Sequence, residues 1–140
     1  MSARAVLDAS ALLAWLQDEP GAQLVDTALA AGAAMSAVNW AEVLSKAAEA
    51  GQDPDALAAR LTDEGLLGGL VEVLPLEAAD APLIARLRPL TRSAGLSLAD
   101  RACLALAQRL GLEAVTAERA WAGLELGVSV RVIRGVDSAP

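Results

Sequence analysis

The feature that most constrains this chain is the alternation of short apolar runs with longer segments of helical spacing. Apolar runs at residues 4–8, 33–38, 70–76, 112–116 and 128–133 predict five short strands. Between them, apolar residues recur every three to four positions, as on one face of a helix. Strands connected through helices pair in parallel and need helices on both faces of the sheet. We therefore predict an α/β fold of three layers, with helices flanking a central, mostly parallel sheet of four to five strands.

Capping residues predict where two of the helices begin and end. Asn39 is a favourable N-cap for a helix over 39–51. Ser97 and Gly111 are favourable ends for the clearest helix, 97–111. Further helices are predicted over residues 9–19, 21–31, 53–65 and 77–95.

A chain of 140 residues is expected to form one domain around one core. We predict a single domain over 1–140, with its core at about 4–133 and a flexible tail at 134–140. The sequence contains no apolar stretch of membrane-spanning length and no signal-peptide pattern. A cytoplasmic protein without a membrane partner is the expectation.

The composition restricts the chemistry available to this chain. Histidine is absent and Cys103 is the only cysteine. This excludes histidine bases, Ser-His-Asp triads, histidine-ligated zinc and an intramolecular disulfide. Catalysis would have to use carboxylates, hydroxyls and arginines. The net charge of −7 also opposes nucleic-acid binding by bulk attraction, so RNA would need local basic residues or a bound cation.

Four acidic residues fall where strands end or where helices begin. Asp8 ends the first strand, Glu42 is predicted in the first turn of the helix after the second, and Glu118 follows the fourth. Asp100 is predicted in the first turn of the helix at 97. Because ligands bind at the carboxyl ends of strands in open parallel sheets, we expect these carboxylates to share one edge.

Each acid also has a local structural explanation. Asp8 can cap the following helix, and "NWAE" and "SLAD" have the spacing of capping boxes. The helix dipole also favours acids near the start of a helix, and this explanation applies to Glu118 as well. Four carboxylates at one edge, however, repel each other unless they are protonated or bridged by a metal. Hard oxygen ligands suit Mg²⁺ or Mn²⁺, which support hydrolysis of phosphodiesters.

Four segments, in this order, resemble the PIN-domain family, most closely its VapC-type toxins. They are "VLDASALLAWL", "SAVNWAEVLSKA", "LSLADRACLALAQRLG" and "AVTAERAW". The resemblance runs from about residue 5 to residue 133. It implies a metal-dependent ribonuclease on a compact α/β fold.

The resemblance also assigns roles to the acids. It implies that Asp8, Glu42 and Asp100 are catalytic, with Asp8 and Asp100 as the main ligands of Mg²⁺ or Mn²⁺. The fourth catalytic position falls on Glu118, where the family usually has Asp. Because Glu is longer by one methylene, its contact with the metal can be direct or through water, and the same alternative applies to Glu42.

Four further residues have two interpretations each. The hydroxyls of Ser10 and Thr116 match positions near such sites, where they would hold a metal-bound water or cap their helices. Arg101 and Arg119 each follow a site acid in the sequence. They would contact RNA phosphates or form ion pairs that offset the negative charge of the acidic cluster.

The resemblance implies three partners: an RNA substrate, a small VapB-type antitoxin and a second copy of the chain in a homodimer. An inactive PIN scaffold that acts only by binding a partner is the alternative, which the substitution at Glu118 keeps open. A phosphatase that uses an aspartyl-phosphate is disfavoured, because it needs a second Asp two residues after Asp8 and the chain has Ser10 there.

Overall fold

The computed structural model describes residues 2–134, which form five strands and six α-helices. The strands are β1 (Ala5–Leu7), β2 (Ala33–Ser36), β3 (Val71–Leu74), β4 (Glu113–Thr116) and β5 (Val130–Val132). The helices are α1 (Ala9–Leu16), α2 (Ala22–Ala31), α3 (Ala37–Glu49), α4 (Pro54–Asp63), α5 (Ala81–Thr91) and α6 (Leu98–Leu110). Short 3₁₀ helices precede α5 and follow β4.

All five strands are parallel and lie in the order β3-β2-β1-β4-β5. Strand β1 is central, with Val6 paired to Ala34 of β2 and to Ala114 of β4. Strands β2 and β3 therefore extend the sheet on one side of β1, and β4 and β5 extend it on the other side. The strand order reverses between β1 and β4, and their carboxyl ends flank the crevice where such folds bind ligands.

Alternate residues of the buried strands face different helical layers, as the pleat of a strand requires. Leu7 and Met35 belong to the cluster formed with α1, α2, α3 and α4. Val6 and Ala34 belong to the cluster formed with α5 and α6 on the opposite face. The predicted three-layer α/β fold with a parallel sheet is confirmed.

The predicted start of the third helix is wrong. Helix α3 begins at Ala37, and its N-cap is Ser36, whose Oγ accepts a hydrogen bond from the Val38 backbone N–H at 3.2 Å. Ser36 caps a helix as well as Asn does, so the chain enters the helix directly from β2. Asn39 therefore lies inside α3. The predicted caps of α6 are confirmed, since Ser97 is its N-cap and Gly111 its left-handed C-cap.

Arg134, the last of the described residues, lies near the turn between α1 and α2. Its Nη2 is 2.6 Å from Oε1 of Glu19. The rest of the predicted flexible tail, 135–140, lies outside the described residues. Within the described part of the chain, no helix has the length and apolar character needed to cross a bilayer.

Candidate active site

Asp8 lies at the carboxyl end of the central strand, between β1 and α1. It is the N-cap of α1, and its Oδ1 accepts a hydrogen bond from the Ala11 backbone N–H at 2.8 Å. Its side chain is nevertheless buried, with 2% of its surface exposed. The cap expected from the sequence is therefore present, but it does not account for placing a carboxylate in the core.

Two hydroxyls hold the Asp8 carboxylate from different parts of the chain. Ser10 Oγ lies 2.8 and 2.9 Å from its two oxygens, and Thr116 Oγ1 donates to Oδ2 at 2.6 Å. The same hydroxyls accept hydrogen bonds from the backbone N–H groups of Ala117 and Glu118. Ser10 and Thr116 thus connect Asp8 to the end of β4 and fix the orientation of its carboxylate.

The environment of Asp8 favours protonation on balance. Burial raises the pKa of Asp8 from 3.8 to about 6, although the hydrogen bonds from Thr116, Ala11 and Ser10 lower it. The negative charge of Asp100 adds a smaller raising effect. A carboxylate that is costly to ionise in the apoprotein is stabilised when a cation binds it.

Glu42 is on α3, but not in its first turn. Because α3 begins at Ala37, the predicted position of Glu42 in the first turn and the predicted capping box with Asn39 are both wrong. Burial and the neighbouring charge of Asp100 raise the pKa of Glu42, whereas Asn39 and Lys46 lower it. Glu42 therefore acts within a group of charges, not as the partner of a helix cap.

Asp100 does form the capping box expected from "SLAD". Its Oδ2 accepts from the Ser97 backbone N–H at 2.8 Å, and Ser97 Oγ accepts from the Asp100 N–H at 3.1 Å. This reciprocal pair anchors Asp100 at the start of α6. Among the described residues, its Oδ1 accepts no hydrogen bond that the structure shows.

The four predicted acids line one pocket of about 150 Å³: Asp8, Glu42, Asp100 and Glu118. Glu118 lies at the exposed rim, as the N-cap of the 3₁₀ helix after β4, without a side-chain capping bond. Within residues 2–134, no three acids come close enough together to form a preassembled metal cluster. The carboxylates surround the pocket as separate groups.

The donor chemistry of this pocket fits Mg²⁺ or Mn²⁺. Its acidic lining offers carboxylate oxygens, and neither histidine nor cysteine is among the lining residues. Such hard ligands select hard divalent cations. Asp8 and Asp100 come from rigid positions at the end of β1 and at the start of α6, whereas Glu42 and Glu118 have longer side chains. The first pair would hold the cation, and the second pair would adjust to it.

Two residues of the site were missed by sequence reasoning. Lys46 lines the acidic pocket one turn after Glu42, and it also lines an adjoining groove between α1, α3 and α4. Asn39 is completely buried and donates from Nδ2 to the Ala99 carbonyl oxygen at 3.1 Å. The i, i+4 spacing of Glu42 and Lys46 could have indicated the first, but the partner of Asn39 lies 60 residues away in the chain.

The two arginines predicted near the site have different surroundings. Nη1 of Arg101 donates to the Ile84 carbonyl oxygen at 3.0 Å, which directs this side chain toward α5. Arg119 is exposed, beside Glu118. Neither arginine forms an ion pair within the part of the chain that the structure describes. Contact of either one with RNA stays a prediction.

Comparison with known proteins identifies the family. The model of the PIN domain matches residues 5–125, which includes all four acids of the pocket. The chain belongs to the PIN-domain family. No curated protein sequence matches this PIN domain significantly.

Solved structures similar to this PIN domain share its fold at low sequence identity. A toxin–antitoxin complex from Klebsiella pneumoniae has a chain that is 22% identical, with a TM-score of 0.69 over 93% of this chain and 98% of that one. The DNA-bound VapBC complex of Salmonella typhimurium gives 18% identity and a TM-score of 0.68, over 95% and 100% of the two chains. VapC20 of Mycobacterium tuberculosis is a toxin that cleaves the sarcin–ricin loop. It is 13% identical to this chain, with a TM-score of 0.56 over 89% of this chain and 98% of that one.

Proposed function

We propose that this PIN domain is an Mg²⁺- or Mn²⁺-dependent endoribonuclease and the VapC-type toxin of a toxin–antitoxin pair. The observation that carries the proposal is the single pocket at the carboxyl edge of the sheet lined by Asp8, Glu42, Asp100 and Glu118. The family and the fold shared with VapC20 and the VapBC complex of Salmonella typhimurium support it. The cytoplasm, where its RNA substrate would be, is the proposed location.

In this proposal, Asp8 and Asp100 hold the cation, while Glu42 and Glu118 orient the attacking water and accept its proton. A divalent cation bound there would polarise the scissile phosphate and favour hydroxide formation. Ser10 and Thr116 keep the Asp8 carboxylate in a fixed orientation through the contacts described above. Attack of water on phosphorus would break the bond to the 3′ oxygen and leave a 5′-phosphate and a 3′-hydroxyl.

The proposed protein partners are a VapB-type antitoxin and a second copy of the chain. The groove of about 200 Å³ beside the acidic pocket is lined by apolar residues, among them Leu13, Leu16 and Val43, and by polar ones, among them Lys46 and Arg60. Because Leu13 and Lys46 line both the groove and the pocket, a segment bound in the groove would extend over the acids. An antitoxin bound in this way would block access of RNA to the pocket.

The direct test is cleavage of a broad RNA pool by the wild-type chain and by Asp8→Asn, with and without Mg²⁺ or Mn²⁺. We expect cation-dependent cleavage by the wild type and a loss of at least about a hundredfold in Asp8→Asn, since even residues that only support metal ligands cost about 10–100-fold. Asp63→Asn removes an exposed acid outside the pocket and should cleave like the wild type. Cleavage by Asp8→Asn at the wild-type rate, or no effect of either cation, would refute the mechanism.

The second candidate is a catalytically weak or inactive PIN scaffold that acts by binding a partner. The separation of the four carboxylates and the exposed Glu118 favour it. This candidate predicts binding of the antitoxin by both the wild type and Asp8→Asn, with no cleavage by either.

A further inference from the structure

Among the described residues, the buried amide of Asn39 has one hydrogen-bond partner, at its nitrogen. Asn39 is 0% exposed, and its Nδ2 donates to the carbonyl oxygen of Ala99, the residue before Asp100. Its Oδ1 is buried and has no hydrogen-bond partner among residues 2–134. Because a buried acceptor without a partner costs free energy, this orientation of the amide requires a compensating interaction.

The hydrogen bond to the Ala99 carbonyl is that interaction, because the opposite orientation would turn Oδ1 toward the same carbonyl oxygen. Asn39 and Glu42 are three residues apart on α3, so they share one face of the helix. Burial and Asp100 raise the pKa of Glu42, and hydrogen bonding from the Asn39 side chain lowers it. An amide nitrogen carries two hydrogens, so Nδ2 keeps a second donor besides the one bonded to the Ala99 carbonyl.

We propose that Asn39 is a positioning residue that holds Glu42 of α3 in register with the first turn of α6, which carries Asp100. Its bond to Ala99 is the only side-chain hydrogen bond between α3 and α6 within the described residues. The helices that carry these two acids are thereby joined through one buried amide. The inference rests on the proposed cation-dependent function, because both acids belong to that site.

The variant Asn39→Leu tests this role, since leucine is similar in size and lacks both the amide donors and the unpartnered oxygen. We expect its Mn²⁺ affinity, measured by titration calorimetry, to fall about 10–100-fold. We expect kcat for RNA cleavage to fall by a similar factor with KM little changed. The Tm should equal or exceed that of the wild type, because the buried oxygen without a partner is removed.

Two further variants separate positioning from a general effect on stability. Asn39→Thr retains one hydroxyl donor, so its Mn²⁺ affinity should fall between those of Asn39→Leu and the wild type, and it also serves if Asn39→Leu does not fold. Thr91→Val is the matched control, because it removes another completely buried polar group, whose hydroxyl donates to the Leu87 carbonyl oxygen on α5. It should leave Mn²⁺ affinity and kcat unchanged.

Wild-type Mn²⁺ affinity and kcat in both Asn39 variants would overturn the positioning role. A wild-type chain that binds Mn²⁺ without cleaving RNA would overturn the ribonuclease proposal, while the Mn²⁺ affinities of the variants would still decide the role of Asn39. A wild-type chain that binds no Mn²⁺ would overturn both.

Discussion

At Asp8, burial and hydrogen bonding act on the same carboxyl in opposite directions. The hydroxyls of Ser10 and Thr116 and the Ala11 N–H favour the ionised form, but burial outweighs them and raises the pKa to about 6. A carboxylate in this environment is poorly stabilised by the apoprotein and is well placed to bind a cation. Stability and function therefore make conflicting demands on this residue.

This conflict predicts a pH dependence of stability. Between pH 4 and 6, the folded chain binds more protons at Asp8 than the unfolded chain, so its contribution to the free energy of unfolding decreases as pH rises through this window. At about 1.4 kcal/mol per pKa unit, the loss approaches about 3 kcal/mol above pH 6. In urea unfolding with EDTA present, the free energy of unfolding of Asp8→Asn should rise relative to that of the wild type from pH 4 to 6. A difference that is constant over this range would contradict the raised pKa.

A second prediction at the scale of residues concerns Glu118. If the carboxylate at this exposed rim position serves the site, Glu118→Asp should preserve or raise RNA cleavage, because it restores the side chain usual in PIN domains. Glu118→Gln should lower cleavage, because it removes the charge and keeps the length. The measurement is the cleavage rate at saturating Mg²⁺ or Mn²⁺. Equal rates in all three chains would leave Glu118 with only the role of a charge at the start of a 3₁₀ helix.

At the scale of elements, an ion pair ties the start of α5 to the end of α6. Nε of Arg109 lies 2.9 Å from Oδ1 of Asp80, whose side chain is only 4% exposed, against 31% for the arginine. The same Asp80 accepts the Glu77 backbone N–H at 2.9 Å, in the 3₁₀ turn before α5. The pair therefore fixes how these two helices pack on one face of the sheet.

Arg109→Met should leave the buried Asp80 charge without its partner and lower the free energy of unfolding by about 2 kcal/mol, less than for a fully buried pair because Arg109 is partly exposed. Arg60→Met is the matched control, since Arg60 and Glu64 are 57% and 61% exposed at 3.9 Å. Its effect should stay within about 0.5 kcal/mol. Chemical denaturation measures the free energy of unfolding of both variants. Equal losses would show that burial of Asp80 does not strengthen its ion pair with Arg109.

At the scale of the whole molecule, the strand order explains why Asp8 lies beside the end of β4. The chain completes β1, β2 and β3 on one side before β4 and β5 are added on the other. The carboxyl ends of β1 and β4 therefore become neighbours although Asp8 and Thr116 are 108 residues apart. For the proposed ribonuclease, the net charge of −7 increases the need for a cation in this crevice, because the acidic pocket would otherwise repel RNA phosphates.

The sequence by itself predicted the three-layer fold with a mostly parallel sheet, and it offered the cap at Asp8 and the capping box of Ser97 and Asp100 beside the roles of these acids in a site. These features depend on hydrophobic periodicity and on residues three positions apart, so they can be read from short segments of the sequence. It predicted Asn39 as the start of α3, although Ser36 is an equally good cap and is the one that the structure has. Packing of α3 against α6 decided it, by burying Asn39 against the Ala99 carbonyl. The contacts of Thr116 with Asp8 and of Asn39 with Ala99 depend on how distant segments pack, and only the tertiary structure specifies that.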